Sequence, residues 1–188
     1  MITGTLTAGY MPVAAGAHME IDSIVQASAV GITITNGSIF SDNAIAARVR
    51  NTVNITLTSS APLTLTFNVD DLDTDSLHDP SSNSQRLTAT RDGLYLITAQ
   101  AIFAANATGR RALHIYLNSD NCLGTYIAST IVQAVTDASA TTAISASTIY
   151  SLAAGDYVTV CGLQVSGGPL AITTDTRRSP IFSMVRLP

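Results

Sequence analysis

The segment Asp70–Pro80, DDLDTDSLHDP, concentrates the chain's chemistry. It holds five aspartates and His78, in a protein where charged residues make up only 12% of the 188. Closely spaced carboxylates are oxygen donors for a hard cation, and a carboxylate beside an imidazole can move a proton. Asp71, Asp73 and Asp75 have the spacing of the first three ligands of an EF-hand loop. Ser76 stands where that loop needs glycine and Ser82 where it needs a bidentate glutamate, so the EF-hand pattern fails. Three readings remain. The expected one is a loop whose short aspartates cap turns by accepting backbone N–H groups. The second is a calcium site of another kind, built from Asp71, Asp73, Asp75 and Asp79. The third is acid–base chemistry with His78.

No other segment supplies a catalytic motif. There is no GxSxG elbow, HExxH, P-loop or GxGxxG. His18, His78 and His114 lie in different segments, and the one glutamate, Glu20, forms no pair suited to glycoside hydrolysis. The chain therefore reads as a non-enzyme without a cofactor, calcium excepted. Cys122 and Cys161 form no CxxC or zinc pattern. Cys161 sits in an apolar strand pattern and reads as a small core residue, while Cys122 follows NSDN near a turn. A disulfide between them is the alternative.

Composition narrows the partners. The net charge is −4, and all basic residues are arginines without a stripe of interleaved aromatics, which argues against nucleic acid. No apolar run approaches the roughly 20 residues of a membrane span. The N-terminus MITGTLTAGYMPVAAGAH lacks a basic region and a long apolar stretch, so no secretory signal is expected. On this reading the protein acts where it is made or leaves the cell by lysis.

The elements around the acidic segment read as strands. Period-two alternation recurs in VGITIT (30–35), VNITLT (53–58) and LTLTF (63–67), with inward faces Val53, Ile55, Leu57 and Leu63, Leu65, Phe67. Asn36-Gly37 supplies a tight turn. GLYLITAQAIFAA (93–105) puts Tyr95, Ile97, Ala99, Ala101 and Phe103 on one face and Leu96, Thr98, Gln100 and Ile102 on the other. Both faces are apolar enough to pack, one on a core and one on a partner. RALHIYLN (111–118) turns Leu113, Ile115 and Leu117 inward, leaving His114 and Tyr116 outward. TAISASTIYSL, DYVTVCGLQV and PIFSMVRLP complete the set. DNAIAARVR (42–50) has some helical character, but its surroundings favour extended structure. Many short strands and no long helix predict an all-β sandwich or barrel. A change of character near 59–62 separates an N-terminal β-rich arm, 1–60, from a domain, 61–188.

Taken in order, ARVRN, LTFN, LDTDSLHD, RLTATRDGLYLITAQAIF, RALHIYLN, IYSLAAGDYVTV, SGGPL and SPIFSMVRLP resemble the C1q and tumour necrosis factor-like superfamily over residues 46–188, most closely its bacterial and phage branch. Leu72 stands at a position usually aromatic in that branch. The resemblance implies a ten-stranded jelly roll that assembles as a homotrimer. It would send Leu96, Thr98, Gln100, Ser145 and Ser147 toward the three-fold axis, and Val185 and Leu187 toward neighbouring subunits. Tyr95, Ile97, Phe103, Phe182 and Met184 would fill the core.

The function implied is a trimeric structural protein of a phage virion, a capsid decoration protein or short head spike. Residues 1–60 would dock on capsid or tail proteins and the jelly roll would project. The alternative is a receptor-binding knob at a tail tip, with loops 104–111, 118–124 and 166–179 recognising a host surface glycan or protein.

Overall fold

The computed structural model describes residues 44–174 and 180–188. VGITIT, the Asn36-Gly37 turn, His18, Glu20 and most of the expected arm lie outside the described residues. All regular elements among the described residues are strands. The larger sheet holds β1 (Ala46–Arg50), β2 (Ile55–Leu57), β4 (Val69–Asp73), β6 (Gly93–Phe103), β9 (Thr142–Leu152), β11 (Leu170–Ile172) and β12 (Ile181–Arg186). The smaller holds β3 (Leu63–Thr64), β5 (Arg86–Thr88), β7 (Arg110–Leu117), β8 (Tyr126–Gln133) and β10 (Tyr157–Gln164). All pairings between them are antiparallel. This is the all-β jelly roll expected from the sequence. It shows twelve segments rather than ten strands, partly because β3 and β5 lie one after the other along the same edge of β10. β1 and β2, from the expected arm, pair with β12, β4 and β11, and the compact unit that holds them runs from Ser41 to Pro188. DNAIAARVR ends in the strand β1, not a helix.

Side-chain alternation explains the core. On β6, Tyr95, Ile97, Ala99, Ala101 and Phe103 are all buried. They meet Leu113 and Ile115 of β7, Val158 and Val160 of β10, and Phe182 and Met184 of β12 in one cluster. Phe67 packs on Phe182 with ring centroids 5.5 Å apart. Burying an aliphatic or aromatic side chain of this size stabilises the fold by about 1.5–3 kcal/mol. The Tyr95 hydroxyl keeps its hydrogen bond by donating to the Arg91 carbonyl at 2.7 Å. Gly162 leaves the room that Leu57 and Ile172 fill, since a Cβ there would lie 3.0 Å from Leu57 Cδ2. Gly109 turns NATGRR at φ +72°, where a Cβ would strike the Val165 carbonyl. Val53 and Leu63 depart from their expected inward positions. Val53 precedes β2 and is 63% exposed, and Leu63, in β3, is 40% exposed.

The cysteines form a disulfide with Cα atoms 5.8 Å apart. Val158 and Val160 take the core side of β10, so Cys161 faces the opposite side of the sheet and is not a residue of the main core. The turn 118–125 folds back over it, and Cys122, Cys161 and Tyr116 form a second buried cluster. Tyr116, expected outward, is therefore covered. Arg111 is fully buried and serves as an internal clamp. Its guanidinium donates to the carbonyls of Asn106, Thr108 and Arg110 at 2.8–3.1 Å, which fixes the preceding turn.

The sandwich has contrasting edges. β4, VDDLD, is a charged edge of the larger sheet. β9 and β8 are edges of the larger and smaller sheets, and residues 126–152, which include both, contain a single charged residue, Asp137.

Candidate oligomer interface

Register places the expected interface residues in rows across the outer face of the larger sheet. One row runs Ala46, Val185, Leu96, Ile149 from β1 through β12 and β6 to β9. The next runs Leu72, Arg48, Ser183, Thr98, Ser147, and the third Arg50, Ile181, Gln100, Ser145. Directly opposed residues in an antiparallel pair share a face. Leu96, Thr98, Gln100, Ser145, Ser147 and Val185 thus form one continuous surface. Leu187 follows at the end of β12, its N–H donating to the Leu94 carbonyl at 2.8 Å.

The surface is polar at its centre and apolar on one side. Thr98, Gln100, Ser145, Ser147 and Ile181 line an open depression of about 270 Å³. Ala46, Leu72, Leu96 and Val185 line an apolar one of about 210 Å³. Leu72, Leu94 and Ile149 are 49%, 51% and 58% exposed, a cost in water that burial against another surface removes. Sequence reasoning missed Leu94 and Ile149 as members of this face. Both were available, because each lies two residues from a named one and so shares its side. Arg48 and Arg50 flank the face, and both donate to the Asp71 carboxylate, Arg50 Nε at 2.8 Å.

The aspartates of the acidic segment are dispersed to separate partners. Asp71 takes the two arginines. Asp73 accepts the N–H groups of Leu77 and His78 at 3.0 Å. Asp75 accepts the Thr90 hydroxyl at 2.5 Å. Asp79 accepts the N–H groups of Ser81 and Ser82 at 2.8 and 3.1 Å. Among the described residues no three acidic, histidine or cysteine side chains group as a metal site would need. His78 pairs with Asp70, the one carboxylate not named as a ligand, through Nδ1 at 2.5 Å.

The smaller sheet carries a cluster that the sequence did not signal. The His114 and Tyr126 rings pack at a 42° tilt with centroids 5.3 Å apart, and Tyr116 meets Tyr126 edge-on at 5.8 Å. Tyr126 is 54% exposed and Leu123, in the loop beside it, 66%. Burial lowers the His114 imidazole below its ordinary range, and Nδ1 is buried without a hydrogen-bond partner. Burial, with Tyr126 a smaller cause, raises the Tyr116 phenol. In the same turn Asp120 is bound by Arg86, Gln85 and the Tyr157 hydroxyl, and the Arg86 guanidinium lies 4.0 Å over the Tyr157 ring. The hydrogen bond from Arg86 is the largest cause holding the Asp120 carboxyl below its usual value. Of the expected recognition loops, 118–124 is thus pinned to the sheet. Residues 175–179 of the third lie outside the described residues.

Solved structures match this arrangement by shape. Murine APRIL, in its structure at pH 5.0, aligns with a TM-score of 0.58 at 12% identity, covering 77% of this chain and 99% of that one. The globular domain of zebrafish complement 1qA protein aligns at 0.53 and 17% identity, covering 77% and 98%. Eiger TNF from S. frugiperda aligns at 0.52 and 12%, covering 78% and 94%. The chain has the TNF/C1q jelly-roll fold. No family model and no curated protein matches the sequence. At these identities the likeness is one of fold. Among the described residues of this jelly roll no helix is long and apolar enough to cross a membrane.

Proposed function

We propose that this jelly roll is a non-enzymatic structural protein that assembles as a homotrimer through the outer face of its larger sheet. It serves in a phage virion as a capsid decoration protein or short head spike, with the part of residues 1–60 that precedes β1 contacting the particle. The observation that carries the trimer is the in-register surface of Leu96, Thr98, Gln100, Ser145, Ser147 and Val185. Its side chains are uncharged and, Leu96 and Gln100 apart, small, which suits close approach, and exposed Leu94 and Ile149 gain from being covered. The phage placement rests on the sequence resemblance to that branch. The non-enzymatic reading is supported by the acidic segment, whose carboxylates and histidine are engaged by neighbouring side chains and by backbone groups of the loop.

Tyr126 favours a second reading. Exposed aromatic surface beside loop 118–124 suits stacking on a sugar ring, the chemistry of a knob that recognises host glycan.

Immunogold labelling of particles from a lysate of the source culture, with antibody against the full chain, separates the two. Gold over heads supports decoration. Gold confined to tail tips supports the knob, and no gold on any particle overturns the virion placement.

A further inference from the structure

The turn 118–125 is held to the smaller sheet in two different ways. Its first half is tied by hydrogen bonds that owe nothing to sulfur. The Asn118 N–H donates to the Tyr157 carbonyl at 2.9 Å, and the Asn118 side-chain oxygen accepts the Tyr157 N–H at 2.8 Å. The Ser119 carbonyl accepts the Thr159 hydroxyl at 2.6 Å, and the Asp120 carbonyl accepts the Thr64 hydroxyl at 2.7 Å. Gln85 and Arg86 hold the Asp120 carboxylate. The second half is tied otherwise. Among the described residues, the hydrogen bonds of Asn121 and Leu123 go only to the Ser119 hydroxyl, inside the turn, at 3.2 and 3.3 Å. Asn121, Leu123 and Gly124 are exposed. The link of this half to the sheet is the Cys122 sulfur, through its bond to Cys161 and a 3.2 Å contact with Thr64 Oγ1, whose proton is already donated to Asp120. Cys122 has φ +59°, a left-handed backbone that an L side chain keeps only where its surroundings impose it.

We propose that the Cys122–Cys161 disulfide is a late, one-way lock on residues 121–124. The jelly roll and the first half of the turn fold in the dithiol chain, and oxidation then closes the second half. In the open turn Cys122 is the accessible thiol. Its thiolate attacks one sulfur of a small-molecule disulfide such as oxidised glutathione, which forms a mixed disulfide and releases one thiolate. The Cys161 thiolate then attacks the Cys122 sulfur and releases the second. The small molecule's S–S bond breaks and the Cys122–Cys161 bond forms. The protein thiols lose two electrons and two protons, and the small-molecule disulfide takes both up to become two thiols.

The closed bond is shielded from the reverse reaction. Cys161 is fully buried and Cys122 is 5% exposed, so a reducing thiolate reaches neither sulfur until the turn opens. The bond itself opposes that opening, which would also uncover Tyr116 from its cluster with the two cysteines. A chain folded in a reducing compartment therefore stays open at 121–124 and closes on meeting an oxidant.

The test uses the full chain, unfolded and reduced, then refolded with dithiothreitol present. It should regain the β-sheet circular dichroism of the oxidised chain. Maleimide under native conditions, read by peptide mass spectrometry, should label Cys122 before Cys161. Nitrogen-15 relaxation should show backbone order parameters at 121–124 falling below about 0.6 on reduction, while those at 118–120 stay at about 0.85. Oxidised glutathione, without denaturant, should then remove both thiols. The bridged chain should keep its bond in dithiothreitol while folded and lose it on unfolding. A dithiol chain that does not fold overturns the lock, and so do order parameters at 121–124 that reduction leaves unchanged. A folded bridged chain reduced as fast as an unfolded one also overturns it, and that measurement decides without any refolding of the dithiol chain.

Discussion

Thr98 on β6 stands directly opposite Ser147 on β9, and both side chains lie on the outer face of the larger sheet. Neither is large and neither is charged, so a neighbouring subunit can approach this point closely. An arginine at either position would place an unpaired charge in the proposed contact.

Native mass measurement on the full chain should therefore give about three times the 19.5 kDa chain mass. Thr98→Arg or Ser147→Arg should reduce it to one chain mass. The variant should retain its β-sheet circular dichroism, because both positions lie outside the core cluster. A wild-type monomer at micromolar concentration would sink the trimer.

Chelation addresses the acidic segment. With Asp71, Asp73, Asp75 and Asp79 bound to four different sets of partners, added chelator should leave the melting temperature unchanged. A drop of several degrees, restored by calcium, would return a cation to this loop.

The disulfide spans 39 residues of sequence. Chain-entropy arithmetic for a loop of that length gives about 4 kcal/mol of stabilisation. Cys122→Ser/Cys161→Ser should lower the guanidinium midpoint accordingly, and thiol titration of the unreduced wild type should find no free cysteine. Equal midpoints with and without reductant would show that the bridge contributes nothing.

Acid unfolding reads the Asp120 cluster. The folded carboxyl lies below the ordinary 3.8, chiefly through the hydrogen bond from Arg86. Its contribution is present above that ordinary value and is lost as pH falls through the folded one. Asp120→Asn should flatten the acid limb of the stability curve in that window. The pair is partly exposed, so the effect at neutral pH should be no more than about 1 kcal/mol. An unchanged acid limb would contradict the assignment.

The fold was legible because strand alternation encodes it. The period-two pattern of β6 named its five core residues and, on the opposite parity, three of the residues proposed for the interface. What escaped was set by contacts distant in sequence. Whether Cys161 meets Cys122 depends on the turn 118–125 folding back across β10, and no spacing rule carries that. Arg111 follows Arg110 in a polar turn sequence that gives no sign of burial, yet it is buried and donates to three carbonyls of the preceding turn. The aspartates were recognised as cappers of turns, but the pairing of Asp70 with His78 required the loop to close on β4.

The uncharged edges β8 and β9 bear on how the protein is made. Natural edge strands usually deter stray pairing with charge or proline, as β4 does with its aspartates. Among the described residues, β8 and β9 offer uncharged edges to whatever strand they meet first. If the chain assembles as proposed, yield would depend on how quickly copies find one another.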